Sequence, residues 1–548
     1  MSDAAIASWN THGAGPAPAL GPEDKIRVNF REYSWFFDLS QDAWRRGNIQ
    51  AACAYASMAA RVAAHRHCGF FASPRLERML ISIGRDIKDE TTYRRPAAPK
   101  QPKRVLHVCT EVVDVGGHSK MLARWMREDS SREHSLALTQ HDRDVPAYIA
   151  EAVKNAGGAI HRLDLKPRDY AARALDLRNV ARGYDLIVLH VYSEDPIPML
   201  AFARLDTVPP VTFLNHADHM FWFGPSISDV VINLRDAAEN LSINRRGVPV
   251  ERNAMAPTLV SKTVRKRTPQ QAKQELGLDP NTILLLSAAR AAKYRTIDGV
   301  TFADTHVPAL IDNPNARLFV LGVGDAPDWA PAIKATGGRI VPLAPVPDPS
   351  LYYEAADIYV DSYPFVSSTS MMEAAGLALP MVSRFYAPDA AEIIGINHPG
   401  LKAASLFASN DEQYVEILRR LIAEPDFRRE RGEIADRAVA DLHQVPGWTR
   451  FWQASIDKAL TLPPLDGAKV FEGAADETPS FGEPDIRMNA LFGLEYATVL
   501  MLRNNLRYLP TGERLARWNE IRKSGGFVRG LDAARHLLPD SILKALGR

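Results

Sequence analysis

The chain contains 548 residues, 46% hydrophobic and 24% charged, a balance that excludes disordered, collagen-like and coiled-coil sequences. At roughly 100 to 200 residues per domain this length predicts about three domains, more than a single small binding module requires. With 66 Lys and Arg against 65 Asp and Glu, the formal net charge of +1 gives no global electrostatic case for nucleic acid, which is not expected as a partner.

Residues 1–24 are rich in Ala, Gly and Pro, lack the basic and apolar regions of a signal peptide, and read as a disordered leader. Residues 25–95 form a helical hairpin region, with Ala-rich periodic stretches interrupted at Gly47, Asn48 and Pro74. Trp44 and Gly47 give it a likeness to one tetratricopeptide-type unit, but a generic helical hairpin accounts for the same residues. Cys53, Cys68 and Cys109 stand outside any C-x-x-C or His/Cys cluster, so neither a disulfide framework nor a zinc site is expected. No run approaches the roughly 18 apolar residues that span a bilayer. A cytoplasmic protein, soluble or peripheral at the inner face of the membrane, is the expectation.

After the Pro/Lys linker RRPAAPKQPKR the pattern changes. Over 104–260 the short apolar runs VLHV, HSLAL, AIHRL, DLIVLHV and VTFL alternate with helical stretches, and over 261–445 TILLLSAAR, ARLFVLGVG, GRIVPL, ADIYVDSYP and LPMVSRF do the same. That is the sequence form of two Rossmann-like, doubly wound α/β domains facing a cleft. A helical return segment (446–465), an acidic linker (466–486) and a basic helical tail (487–548) follow. The tail carries 11 Lys/Arg against 5 Asp/Glu, a local +6 that the total conceals. It suits either a solvated helical cap, the reading preferred here because Pro510, Gly525, Gly526 and Pro539 interrupt it, or an anionic membrane surface.

Chemistry concentrates at the ends of the predicted strands. Gly116 and Gly117 precede a helix starting near His118 or Ser119, where paired glycines let backbone amides approach an anion. The spacing is not G-x-G-x-x-G, so a plain turn explains it equally well. In FLNHADHMFWFG, His216 and His219 flank Asp218; an imidazole could accept a hydroxyl proton and the carboxylate could orient it. Arg290, Lys293 and Arg295 directly follow the first strand of the second domain and suit a diphosphate, in place of a metal for which no D-x-D stands on a strand end. After Asp361 the hydroxyl cluster Ser367, Ser368, Thr369 and Ser370 leads into a helix carrying Glu373, an arrangement for phosphate and ribose and more than capping needs.

At these residues the sequence resembles GT-B glycosyltransferases over roughly 104–460. DIYVDSYPFVSSTSMMEAAGLALPMVS is similar to a stretch of the O-linked GlcNAc transferase family. The resemblance implies Thr369 and Ser370 on the UDP phosphates, Glu373 on ribose, and Lys293 or Arg295 on the diphosphate; Ser368 stands where that family has His. The glycine loop GGHSKMLARWM resembles the retaining glycosyltransferases of surface-polysaccharide synthesis, whose E-x7-E motif would end at Glu373 but begins here on Phe365. The implied activity is a metal-independent, cofactor-free transfer of a hexosyl group from a UDP-sugar to a hydroxyl of a glycan, lipid-linked or protein acceptor. His216 or His219 would be the base, and His118 stands on the acceptor side. Two alternatives are a weakened GT-B scaffold that binds sugar nucleotides or glycans, and a nucleotide-sugar epimerase.

Overall fold

The computed structural model describes residues 20–96, 101–114, 116–165, 169–297, 299–386, 395, 397–474, 476–492, 498–523, 526 and 536–538. Most of the predicted leader and much of the tail beyond 523 therefore lie outside the described residues. Helix α1 (Pro22–Arg45) begins inside the segment read as leader, with Pro22 in its first turn and Glu23 and Asp24 at its positive end. Gly47, at φ +73°, turns the chain into α2 (Ile49–His65), which Asn48 caps by accepting from Ala51 N at 3.1 Å. The Ala-rich face of α2 lets α1 lie close against it, and α3 (Pro74–Asp86) starts at the Ser73 cap.

Among the described residues thirteen strands form two sheets. The first contains β1 (Arg104–Cys109), β2 (Glu133–Leu138), β3 (Gly157–Arg162), β4 (Leu186–His190), β5 (Val211–Asn215), β6 (Val230–Asn233) and β7 (Asn253–Met255), in the order β3-β2-β1-β4-β5-β6-β7. The second contains β8 (Ile283–Ala288), β9 (Ala316–Leu321), β10 (Ile340–Leu343), β11 (Ile358–Val360), β12 (Met381–Arg384) and β13 (Leu406–Ala408), in the order β10-β9-β8-β11-β12-β13. Every neighbouring pair is parallel. The expected doubly wound domains are present, and the strand order reverses between β1 and β4 and again between β8 and β11. Those reversals open the crevices in which such sheets bind ligands.

Both faces of each sheet are buried, as parallel strands require. Leu106 and Val108 of β1 join α1, α2 and α3 in one core while Val105 packs on the opposite face, the two-residue period of a strand. The helical region is thus a layer on the first sheet. Helix α4 (Gly117–Glu128) follows β1, and α5 (Ser368–Ala375) follows β11 at the corresponding point of the second sheet.

The return segment is helix α6 (Gly447–Thr461), which carries the chain back to the first domain. Trp452 meets Trp125 of α4 edge to face at 4.5 Å and its indole N–H donates to Asp129 Oδ2 at 2.7 Å. Pairs of this kind contribute about 1 kcal/mol beyond burial. The acidic linker is laid on basic neighbours: Asp466 meets Arg85 at 2.6 Å, and buried Asp485 meets Arg245 at 2.9 Å. The described tail helices α7 (Thr498–Asn505) and α8 (Thr511–Lys523) bring Met501, Leu502 and Ile521 into the core of α1 to α3, and Glu513 accepts from Tyr55 at 2.8 Å. This part of the tail is a packed cap. No described helix is long and apolar enough to cross a membrane.

Candidate active site in the interdomain cleft

The C-terminal strand ends of the two sheets meet around a cavity of about 200 Å³. The first domain contributes Gly117, His118, His216, Asp218, His219 and Arg235; the second contributes Lys293, Phe365, Val366, Ser368, Thr369 and His398. Eight of the residues singled out in the sequence therefore share one cavity. Gly116, Arg290, Arg295, Ser370 and Glu373 are not among its lining residues.

Gly116 caps α4 in an extended conformation, and Gly117 faces Thr369, whose methyl would lie 3.6 Å from a Cβ at 117, an ordinary van der Waals contact. The tighter position is Gly116, where a Cβ would come within 3.1 Å of Val113 Cγ2. His118, in the first turn of α4, stacks on His216 with ring centroids 4.1 Å apart. His216 directly follows β5, and its Nδ1 faces the carbonyl of Leu214 at 3.2 Å. A carbonyl only accepts, so Nδ1 carries the proton and Nε2 keeps its lone pair. Burial pushes the His216 pKa down to about 4, the Leu214 carbonyl and Asp218 opposing it, so the ring is neutral near pH 7.

Asp218 orients a different histidine from the one that carries this lone pair. Its Oδ1 accepts from Arg235 Nη2 at 2.9 Å and meets His219 Nδ1 at 3.3 Å. Burial opposes the charge on Asp218, but Arg235 and His219 outweigh it and hold the carboxyl far below the usual range. His219 is itself kept below its ordinary pKa by burial, against the pull of Asp218, and meets Phe365 edge to face at 5.5 Å.

Behind His118 runs a buried row of imidazoles. His134 Nε2 faces Asp129 O at 3.0 Å, His107 Nε2 faces His134 Nδ1 at 2.9 Å, and His190 Nε2 faces His107 Nδ1 at 2.8 Å. Because the carbonyl accepts, each ring donates toward Asp129 and accepts from the next, which leaves His190 Nδ1 as the acceptor at the end of the row beside His118. Desolvation keeps His107, His118 and His190 neutral.

In the second domain Asp361 shapes the loop between β11 and α5. Its Oδ1 accepts from the amides of Ser362 and Ser367, both at 2.9 Å, and Ser383 Oγ donates to Oδ2 at 3.3 Å. Burial raises its pKa to about 6, against these bonds and nearby Lys293. Lys293 Nζ donates to Val366 O at 2.7 Å and lies 5.0 Å from the Phe365 ring centre. Burial brings Lys293 down to about 8, with Arg290 adding to the fall and Asp361 opposing it. The hydroxyl cluster does not cap its helix: Ser367 makes no side-chain cap bond and instead donates to Ser370 Oγ at 3.1 Å. The first helical bond is Met371 N to Ser367 O at 3.0 Å, so the amides of Ser368, Thr369 and Ser370 have no helical acceptor and start the helix on the side of the cavity that Lys293 lines.

Glu373 lies one turn further along, where its Oε1 accepts from Arg124 Nη2 at 2.8 Å, an ion pair across the cleft. Arg290 is exposed, and Arg295 lines a separate cavity. Sequence reasoning missed Arg124, Arg235 and His398. Arg235 carries a weak signal, as the cation directly after the apolar run VVINL; Arg124 and His398 carry none.

No family model and no curated protein matches the sequence. Solved structures match the fold. A glycosyltransferase from Rickettsia africae is 10% identical, with a TM-score of 0.50 over 66% of this chain and 100% of that one. Anabaena HepE, solved with UDP and glucose, is 14% identical, with a TM-score of 0.48 over 64% of this chain and 99% of that one. A mutant O-GlcNAc transferase from Thermobaculum terrenum is 14% identical, with a TM-score of 0.45 over 81% and 85%. Two facing doubly wound sheets with this strand order make the GT-B architecture, and the Rickettsia likeness is one of fold.

Proposed function

We propose that the chain is a glycosyltransferase that moves a hexosyl group from a UDP-linked donor in the interdomain cleft to a hydroxyl acceptor, without a metal. The observation that carries this reading is the cavity itself, where a neutral histidine of one domain faces the lysine, hydroxyls and open helix N-terminus of the other. Lys293 and the first amides of α5 take the donor diphosphate, and Glu373 takes the ribose hydroxyls once it parts from Arg124. His216 Nε2 accepts the proton of the acceptor hydroxyl as its oxygen bonds to the anomeric carbon. The bond from that carbon to the diphosphate oxygen breaks, and Lys293 offsets the charge that develops there. Asp218 and Arg235 hold His219 against Phe365, a positioning role. The acceptor is a hydroxyl of a glycan, lipid-linked sugar or protein, and the +6 tail is the element that would meet an anionic membrane.

The test is to incubate the full chain with a panel of UDP-sugars and simple hydroxyl acceptors in chelator and follow UDP release. Release from one donor, accelerated by an acceptor, is expected. UDP binding without release from any donor would leave a sugar-nucleotide-binding scaffold, and isomerised free sugar an epimerase.

A further inference from the structure

A second cavity, of about 330 Å³, lies in the second domain behind the donor cleft. The segment 363–366 is their common wall: Tyr363 and Pro364 line this cavity, whereas Phe365 and Val366 line the cleft. Three guanidinium groups, Arg295, Arg384 and Arg487, face one carboxylate, Asp411, whose Oδ1 already accepts from the hydroxyl of Tyr386. Arg487 is paired outside the cavity with Glu483, at 3.4 Å.

Arg384 closes β12 and is only 6% exposed. Its Nη1 donates to Thr305 Oγ1 at 2.9 Å, while Nε and Nη2 are buried with no hydrogen-bond partner among the described residues. Nε and Nη2 form the edge of a guanidinium that makes a two-pronged bond with a phosphate or carboxylate. A buried cation with that edge unpaired is costly, and ring faces offset part of the cost: Tyr363, Tyr414 and Phe302 have centroids 4.3, 4.9 and 5.2 Å from Arg384 Cζ. Phe385 and Tyr386 add further flat walls at the cavity.

We propose that this cavity is a binding site, separate from the donor cleft, for a phosphate monoester with a flat ring, its ring held between the aromatic walls and its phosphate drawn to the Nε and Nη2 edge of Arg384, which binding uncovers. Phosphate is favoured over carboxylate because Arg295 stands at the same cavity and a second negative charge can be matched. The site needs neither a bound donor nor sugar transfer.

The test uses the full chain, with phenyl phosphate and inorganic phosphate as probes in calorimetric titration and UDP titrated in parallel. Saturable binding of phenyl phosphate is expected, at least fivefold tighter than inorganic phosphate. Arg384→Gln should weaken it at least tenfold and leave the UDP isotherm unchanged. Arg295→Gln, at a half-buried position outside the core, should weaken it about threefold and keeps the test open if the Arg384 variant fails to fold. Equal affinity for the two probes overturns the ring-bearing class. Unchanged phenyl phosphate affinity in both variants, or displacement of phenyl phosphate by UDP, overturns the site.

Discussion

Arg124 Nη2 donates to Glu373 Oε1 at 2.8 Å, tying α4 of the first domain to α5 of the second across the cleft. Both side chains are mostly shielded from water. The cavity beside this pair encloses only about 200 Å³, less than the roughly 300 Å³ at which pockets for drug-sized ligands begin. If Glu373 takes the donor ribose as proposed, a nucleotide sugar has to part this pair on entry.

Arg124→Gln should therefore free Glu373 and tighten UDP. If the pair contributes about 1 kcal/mol, the gain is roughly fivefold. Glu373→Gln should weaken UDP about tenfold, since a carboxylate bonds ribose hydroxyls more strongly than an amide. Calorimetric titration of the two variants separates them, and a loss in both would mean that Arg124 itself binds the donor.

The cleft histidines carry a pH signature. His216 has its pKa lowered from 6.5 to about 4, so the folded chain binds fewer protons than the unfolded chain at mildly acid pH. The stability held above pH 6.5 begins to fall below that value, and the His216 contribution, on the order of 3 kcal/mol, is lost by about pH 4. His306 and His398, both brought by burial to about 3, act in the same direction. Thermal melts from pH 7 to 4.5 should show a steep fall in Tm, shallower in His216→Gln. That variant should also lose about 100-fold or more in turnover, while His219→Gln loses less because its ring positions Phe365.

Lys293 titrates at the other end. With a pKa of about 8 it is charged at neutrality and loses its proton as pH rises further. UDP affinity should hold from pH 6.5 to 7.5 and fall above 8, and Lys293→Met should be weak and flat across the range. A wild-type affinity that rises above pH 8 contradicts the assignment.

Docking of the return helix depends on Trp452. Trp452→Ala should destabilise the fold by about 3 to 5 kcal/mol, and Trp452→Phe by about 1 to 2, because the phenyl ring keeps most of the contact with Trp125 but leaves Asp129 without the indole donor. Chemical denaturation reads both.

Ten of the thirteen strands were legible as apolar runs, from VLHV in β1 to LPMVSRF in β12. β6 (VVIN), β7 (NAM) and β13 (LFA) were not, although β10, β11 and β12 are no longer than these, so strand length does not separate the two groups. GRIVPL was readable despite Pro342, since β10 is an edge strand and the missing amide has no partner strand to serve. Within the cleft, local order carried the signal: His216, Lys293 and Thr369 each follow a strand end, and topology brings strand ends together. Arg124 and Glu373 lie 249 residues apart on helices of different domains, and no periodicity within either helix encodes that meeting. The interruptions in the positive tail pointed to a helical cap, and its described helices join the core of α1 to α3 through apolar residues that the charge count alone does not reveal.

In the proposed function, Lys293 and the hydroxyl start of α5 hold the diphosphate of a UDP-linked donor. Titration of UDP into the wild type and into Lys293→Met/Thr369→Val, both in chelator, tests it directly. Saturable UDP binding without metal, weakened at least tenfold in the double variant with its Tm unchanged, is the predicted result. An equal isotherm for the two proteins, or binding that appears only when a divalent cation is added, would contradict it.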